Sequence, residues 1–145
     1  MSSRLAAGAG ARTRLLVAVV ALGVLLAACG GGSGGGSKAR PSSTARLQID
    51  QPTPNQVTGP DVTVQLHVIG GEVVPLTQIS GPLRGDQGHI HVSLDGNLVT
   101  MTDKSSTTLT GLAPGSHTIQ AEYVAVDHLS FRSRVIAAVI FQVKT

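Results

Sequence analysis

Between Leu47 and Val143 apolar and polar residues alternate in short runs. Leu47 and Ile49 flank Gln48; Val62, Val64, Leu66 and Val68 alternate with Thr63, Gln65 and His67; Ile90, Val92 and Leu94 alternate with His89, His91 and Ser93; and Ile119, Ala121 and Tyr123 alternate with Thr118, Gln120 and Glu122. A period of two puts one face of each run against a core and the other toward solvent, the pattern of a half-buried strand. Turn signals separate the runs: Pro52, Pro54 and Gly59-Pro60, then Asp95-Gly96, then Gly111-Leu112-Ala113-Pro114-Gly115. Asp-Gly is the strongest of these, because both residues tolerate the positive φ of a tight hairpin turn. Strands are expected at Leu98 to Thr102, near Thr107 to Leu109, and from about Arg134 to Val143. No convincing amphipathic helix follows residue 29. The expectation is an all-β domain over residues 45–145, a two-sheet antiparallel sandwich of about seven strands.

A domain of about 100 residues is long enough to bury its own core. That core must be aliphatic, because the chain has no Trp, one Tyr and two Phe. Cys29 is the only cysteine, so no disulfide can staple the sandwich.

Upstream of the domain the composition changes twice. Arg4, Arg12 and Arg14 precede an apolar run from Leu15 to Leu26, and Ala27-Ala28 supply the small residues that a signal peptidase requires before its cut. A transmembrane helix needs about 20 apolar residues, and this run is shorter. Leu26-Ala27-Ala28-Cys29 resembles the lipobox of bacterial lipoproteins. The resemblance implies a diacylglyceryl group on the Cys29 thiol, cleavage before it, and Cys29 as the first residue of the mature protein. Residues 1–28 are then a lipoprotein signal peptide, and 29–44 the lipidated cysteine with a Gly/Ser-rich tether. Localisation is expected at the extracytoplasmic face of the cell membrane. A lone cysteine in an exported protein would otherwise be an unpaired thiol in an oxidising compartment.

Removing the signal changes the charge balance. The chain has 11 Lys and Arg, 8 Asp and Glu and a net charge of +3. Three arginines leave with the signal, so 11 − 3 = 8 basic residues face 8 acidic ones in the mature chain. A neutral domain offers no electrostatic footprint for nucleic acid. Lys38 and Arg40, just beyond the lipid, are placed to touch anionic headgroups.

The domain resembles bacterial immunoglobulin-like modules. The likeness rests on Val57-Thr58-Gly59, Leu94-Asp95-Gly96, Leu112-Ala113-Pro114-Gly115-Ser116-His117-Thr118 and a following Asp127, and covers nearly all of residues 45–145. Greek-key topology is the default for a sandwich of about seven strands, and the resemblance implies a structural, inward-facing His117. Such folds host many roles, so function does not follow. Gly88-His89-Ile90-His91-Val92, with the Leu112 to Thr118 motif and Asp127-His128, also resembles a periplasmic family of no established role that carries Gly-His-His-His-Leu, Leu-Pro-Pro-Gly-x-His-Thr-Leu and Asp-x-x-His.

Three features carry chemistry. His89 and His91 stand at i and i+2 on the outward face of one strand, and antiparallel pairing with the strand that begins at His117 brings Asp127 and His128 toward His89. Neutral imidazoles with a carboxylate suit copper or zinc. The stretch from Gly70 to Gly88 is longer than a minimal sandwich needs, and long loops inside compact domains are often functional. It carries Arg84-Gly85-Asp86 and, with His89 and Phe131 from the 127–134 connection, forms a candidate binding surface. No nucleophile elbow, phosphate-binding glycine loop or paired carboxylate motif is present, so no enzymatic activity is expected. Two functions fit: a lipid-anchored binding or structural module with a protein or cell-envelope partner and no cofactor, or a copper- or zinc-binding lipoprotein.

Overall fold

The computed structural model describes residues 39–145. The signal peptide, Cys29 and most of the tether lie outside them. Nine strands follow one another: β1 (Arg46–Gln51), β2 (Val57–Thr58), β3 (Val62–Ile69), β4 (Glu72–Val73), β5 (Gln87–Leu94), β6 (Asn97–Thr102), β7 (Ser106–Leu109), β8 (Gly115–Ala125) and β9 (Ser130–Val143). They form two sheets, one ordered β1-β3-β7 and one ordered β2-β9-β8-β5-β4, with β6 beside β4 on the far edge of β5. Packed face to face, the two sheets make an all-β sandwich. The pairings are antiparallel except at β2–β9 and β4–β5, two short parallel contacts.

The alternation does what its period requires. Val62, Val64 and Leu66 from β3, Ile90 and Val92 from β5, and Ile119, Ala121 and Tyr123 from β8 meet between the sheets in one core. The β5–β6 hairpin turns at Asp95 (φ 50°) and Gly96 (φ 85°), the left-handed pair that a two-residue turn demands.

Two expectations are corrected. The last strand begins at Ser130 and not near Arg134, so Phe131 is a strand residue on the inward row with Val135, Val139, Phe141 and Val143. It is only 2 % exposed, with its ring 5.3 Å from that of Tyr123, and cannot form part of a binding surface. Second, the domain's bonded chain starts before Ala45. Arg132 N–H donates to the Pro41 carbonyl (3.0 Å), and Arg40 is held by the β8–β9 turn as described below.

Candidate functional site

The antiparallel register of β5 and β8 pairs Gly88 with Ala125, His89 with Val124 and His91 with Glu122. The start of β5 therefore lies beside the end of β8, and the 126–129 turn rises next to His89. His128 occupies the left-handed region (φ 61°), which histidine tolerates better than most side chains. Its N–H donates to the Ala125 carbonyl (2.9 Å), and Ala125 N–H donates to the Leu129 carbonyl (3.0 Å).

This folds three histidines together. The His89 and His128 rings stack, 4.6 Å between centroids and 24° between planes. The His91 and His128 rings are also nearly parallel, at 17°, but their centroids are 5.6 Å apart while His91 Nε2 and His128 Nδ1 are 3.3 Å apart. Those rings meet edge to edge, one nitrogen donating to the other.

His89 departs from the exposed position expected of it. Alternation places it on the face opposite Ile90 and the main core, but that face is covered here and His89 is fully buried. Val74, Val124 and Val126 are buried too, although none belongs to the main core cluster. Val74, just after β4, supplies a carbonyl 3.0 Å from His89 Nδ1. A carbonyl only accepts, so Nδ1 carries a hydrogen, and in the neutral ring Nε2 is left with its lone pair. That Nε2 is buried and has no hydrogen-bond partner.

Charged groups surround the cluster without closing on it. Glu122, opposite His91, accepts from Ser130 Oγ (2.6 Å) and from Arg134 Nε (3.0 Å) and Nη2 (2.5 Å). The arginine hydrogen bond outweighs burial and holds the Glu122 carboxyl below its usual range. Burial first, and then the neighbouring His128, push the His91 imidazole below its ordinary value, with Glu122 pulling the other way. Asp127 turns aside. Arg40 donates to both of its carboxylate oxygens (2.7 and 3.0 Å) and to the Leu129 (2.6 Å) and Ser130 (2.5 Å) carbonyls, while Leu129 N–H donates to Asp127 Oδ1 (3.2 Å). The carboxylate expected near the histidines is thus committed to the turn. Arg40, expected to face lipid headgroups, is committed with it.

The Gly70 to Gly88 segment closes at its base. Glu72 N–H donates to the Asp86 carbonyl (2.6 Å) and Val74 N–H to the Gly88 carbonyl (2.9 Å). Tyr123 Oη donates to the carbonyls of Glu72 (2.7 Å) and Asp86 (3.1 Å), and burial raises its hydroxyl to about 12. Arg84 and Asp86 are exposed and pair with each other (3.1 Å), an exchange worth little in water. Gly85 is backed by the Ser42 carbonyl, which a Cβ would meet at 2.2 Å. The backbone of the tripeptide thus lies close against the domain's first residues, while its two charged side chains point to solvent.

Sequence reasoning missed Glu122 and Met101 as neighbours of the histidines. Met101 on β6 pairs in register with His91. Both follow from alternation once the pairing partners of β5 are known.

No protein-family model and no characterised protein matches the chain in sequence. Among solved structures it is similar to a fibronectin(III)-like module of Clostridium thermocellum CbhA, with a TM-score of 0.49 and 18 % identity over 68 % of this chain and 94 % of that one. It is also similar to the N-terminal four immunoglobulin domains of Dscam1 isoform 7.44, with a TM-score of 0.41 and 12 % identity over 69 % of this chain and 21 % of that one.

Proposed function

We propose that the chain is a lipid-anchored, extracytoplasmic immunoglobulin-like module that binds or presents a ligand at the bacterial cell surface and catalyses no reaction. The observation that carries this is the join of two features: Leu26-Ala27-Ala28-Cys29 closes an apolar run that follows three arginines, and a β-sandwich with its own continuous core lies downstream of a Gly/Ser-rich tether.

Lipidation needs the Cys29 thiol. Detergent phase partitioning and a fatty-acid label test it: the parent is expected in the detergent phase and labelled, and Cys29→Ser in the aqueous phase and unlabelled. Identical partitioning and labelling of the two proteins would remove the anchor.

A further inference from the structure

We propose that His89, His91 and His128, with the Met101 thioether beside them, form a copper site on the outer face of the larger sheet. This rests on the reading of the chain as a binding module and not on the anchor, and it places that binding at the histidine end. It names a metal ion as what that end takes.

The first support is the unpartnered nitrogen. His89 Nε2 is buried without a hydrogen bond, a state that folded proteins rarely leave uncompensated. The ring is held from behind by the Val74 carbonyl at Nδ1 (3.0 Å), the arrangement by which metal-binding histidines are oriented. A lone pair fixed in a water-poor position is a ligand prepared in advance.

The second support is spacing. Two nitrogens about 2.05 Å from a tetrahedral ion lie about 3.3 Å apart, and His91 Nε2 and His128 Nδ1 are separated by 3.3 Å. The gap that a hydrogen bond now spans is the gap an ion would bridge. As the side chains stand, no group of three His, Cys, Asp or Glu among the described residues closes on one point. Binding therefore replaces that hydrogen bond: the hydrogen moves, by exchange with solvent, to the donor ring's other nitrogen, so that both imidazoles ligate as neutral rings, and the His128 ring turns within its four-residue turn between strands.

The third support chooses the metal. Met101 pairs with His91 across β5–β6, while Thr100 and Thr102 pair with the core residues Val92 and Ile90. Met101 thus shares the outer face with His91 and is 44 % exposed. A thioether is a soft donor that selects Cu(I) over Zn(II). Glu122, on the other side of His91, supplies a carboxylate that partly offsets the added positive charge. Asp127 takes no part, because Arg40 and Leu129 N–H occupy its oxygens.

Full-length protein purified in detergent without an oligohistidine tag is titrated anaerobically with Cu(I) against a chromophoric chelator, and separately with Zn(II) by calorimetry. One Cu(I) per chain is expected. His91→Gln and His128→Asn, the latter chosen because Asn accepts the left-handed backbone, should each weaken it at least about tenfold while circular dichroism shows a folded sandwich. Met101→Leu should weaken Cu(I) and leave Zn(II) unchanged, and His67→Ala, on the exposed face of β3, should change neither. Cys29→Ser should bind copper as the parent does, which separates this site from the anchor and excludes the thiol as ligand. Absence of stoichiometric Cu(I), binding indifferent to both histidine variants, or binding lost with Cys29 overturns the histidine site. Zn(II) bound more tightly than Cu(I), with Met101→Leu silent, overturns the assignment to copper.

Discussion

The two ends of β8 each hold a histidine in a fixed bonding pattern, and the patterns are opposite. At its start His117 lies between two acceptors, Asp95 Oδ2 (2.7 Å) and the Ala113 carbonyl (2.8 Å). Two acceptors are fully satisfied only by an imidazole with two hydrogens, and the His117 imidazole is accordingly raised, by the carbonyl first and Asp95 second. Just beyond the end of β8, His91 and His128 face each other nitrogen to nitrogen, and such a pair is satisfied only when one ring is neutral. His91 is lowered. One end favours the bound proton and serves as a structural clasp for the β5–β6 turn. The other disfavours it and leaves lone pairs available. Histidine count alone would have treated the five residues alike, and it is the partners that divide them.

The ends also differ in what holds them. At the cluster end Tyr123 and Phe131 pack together beneath the sheet and Arg40 bonds the turn, whereas at the His117 end Asp95 bonds both His117 and Thr118 N–H (2.8 Å). The largest expected effect follows. Phe131→Ala should cost about 3 to 5 kcal/mol, since it leaves a cavity against Tyr123 under the cluster, measured by chemical denaturation. A cost below about 1 kcal/mol would return Phe131 to the exposed platform that the sequence suggested.

A smaller effect tests the close approach of β5 to β8. A Cβ on Gly88 would lie 1.9 Å from the Val124 carbonyl oxygen and 3.2 Å from the Tyr123 ring, so Gly88→Ala must push β5 away just where His89 begins. We expect about 2 to 3 kcal/mol of destabilisation, together with perturbed NMR shifts of the His89 and His128 rings and unperturbed His117. Uniform perturbation of all three would mean that the ends are not independent.

Much of this architecture was legible in the residues. β3, the β5–β6 hairpin and most of β8 follow from alternation and turn chemistry, and the pairing that brings His128 to His89 follows from antiparallel topology. β2 and β4 were not legible, because two residues are too few to show a period and each exists through its pairing with β9 or β5. The start of β9 was hidden by Arg132, Ser133 and Arg134, which interrupt the apolar row between Phe131 and Val135. Alternation told which face His89 occupies but not that Val74 and the 126–129 turn would cover it. Nor could it tell that Asp127 would bond an arginine 87 residues away, since nothing local marks such a pair.

The smallest effect isolates the proton preference at the His117 end. A group whose folded value lies above its unfolded value near 6.5 contributes stability that is fully present below 6.5 and is lost as pH rises through the folded value. His117→Gln keeps a polar side chain but cannot take up that proton. The melting-temperature difference between parent and His117→Gln should therefore be widest below pH 6.5 and narrow as pH rises above it. Asp95 is 46 % exposed, so solvent and salt screen its attraction and the pH-dependent part should shrink further in added salt. Because the comparison subtracts everything the two proteins share, titration at the cluster end cancels. A difference that widens with rising pH would mean that His117 is held neutral, and the contrast between the two ends of β8 would be lost.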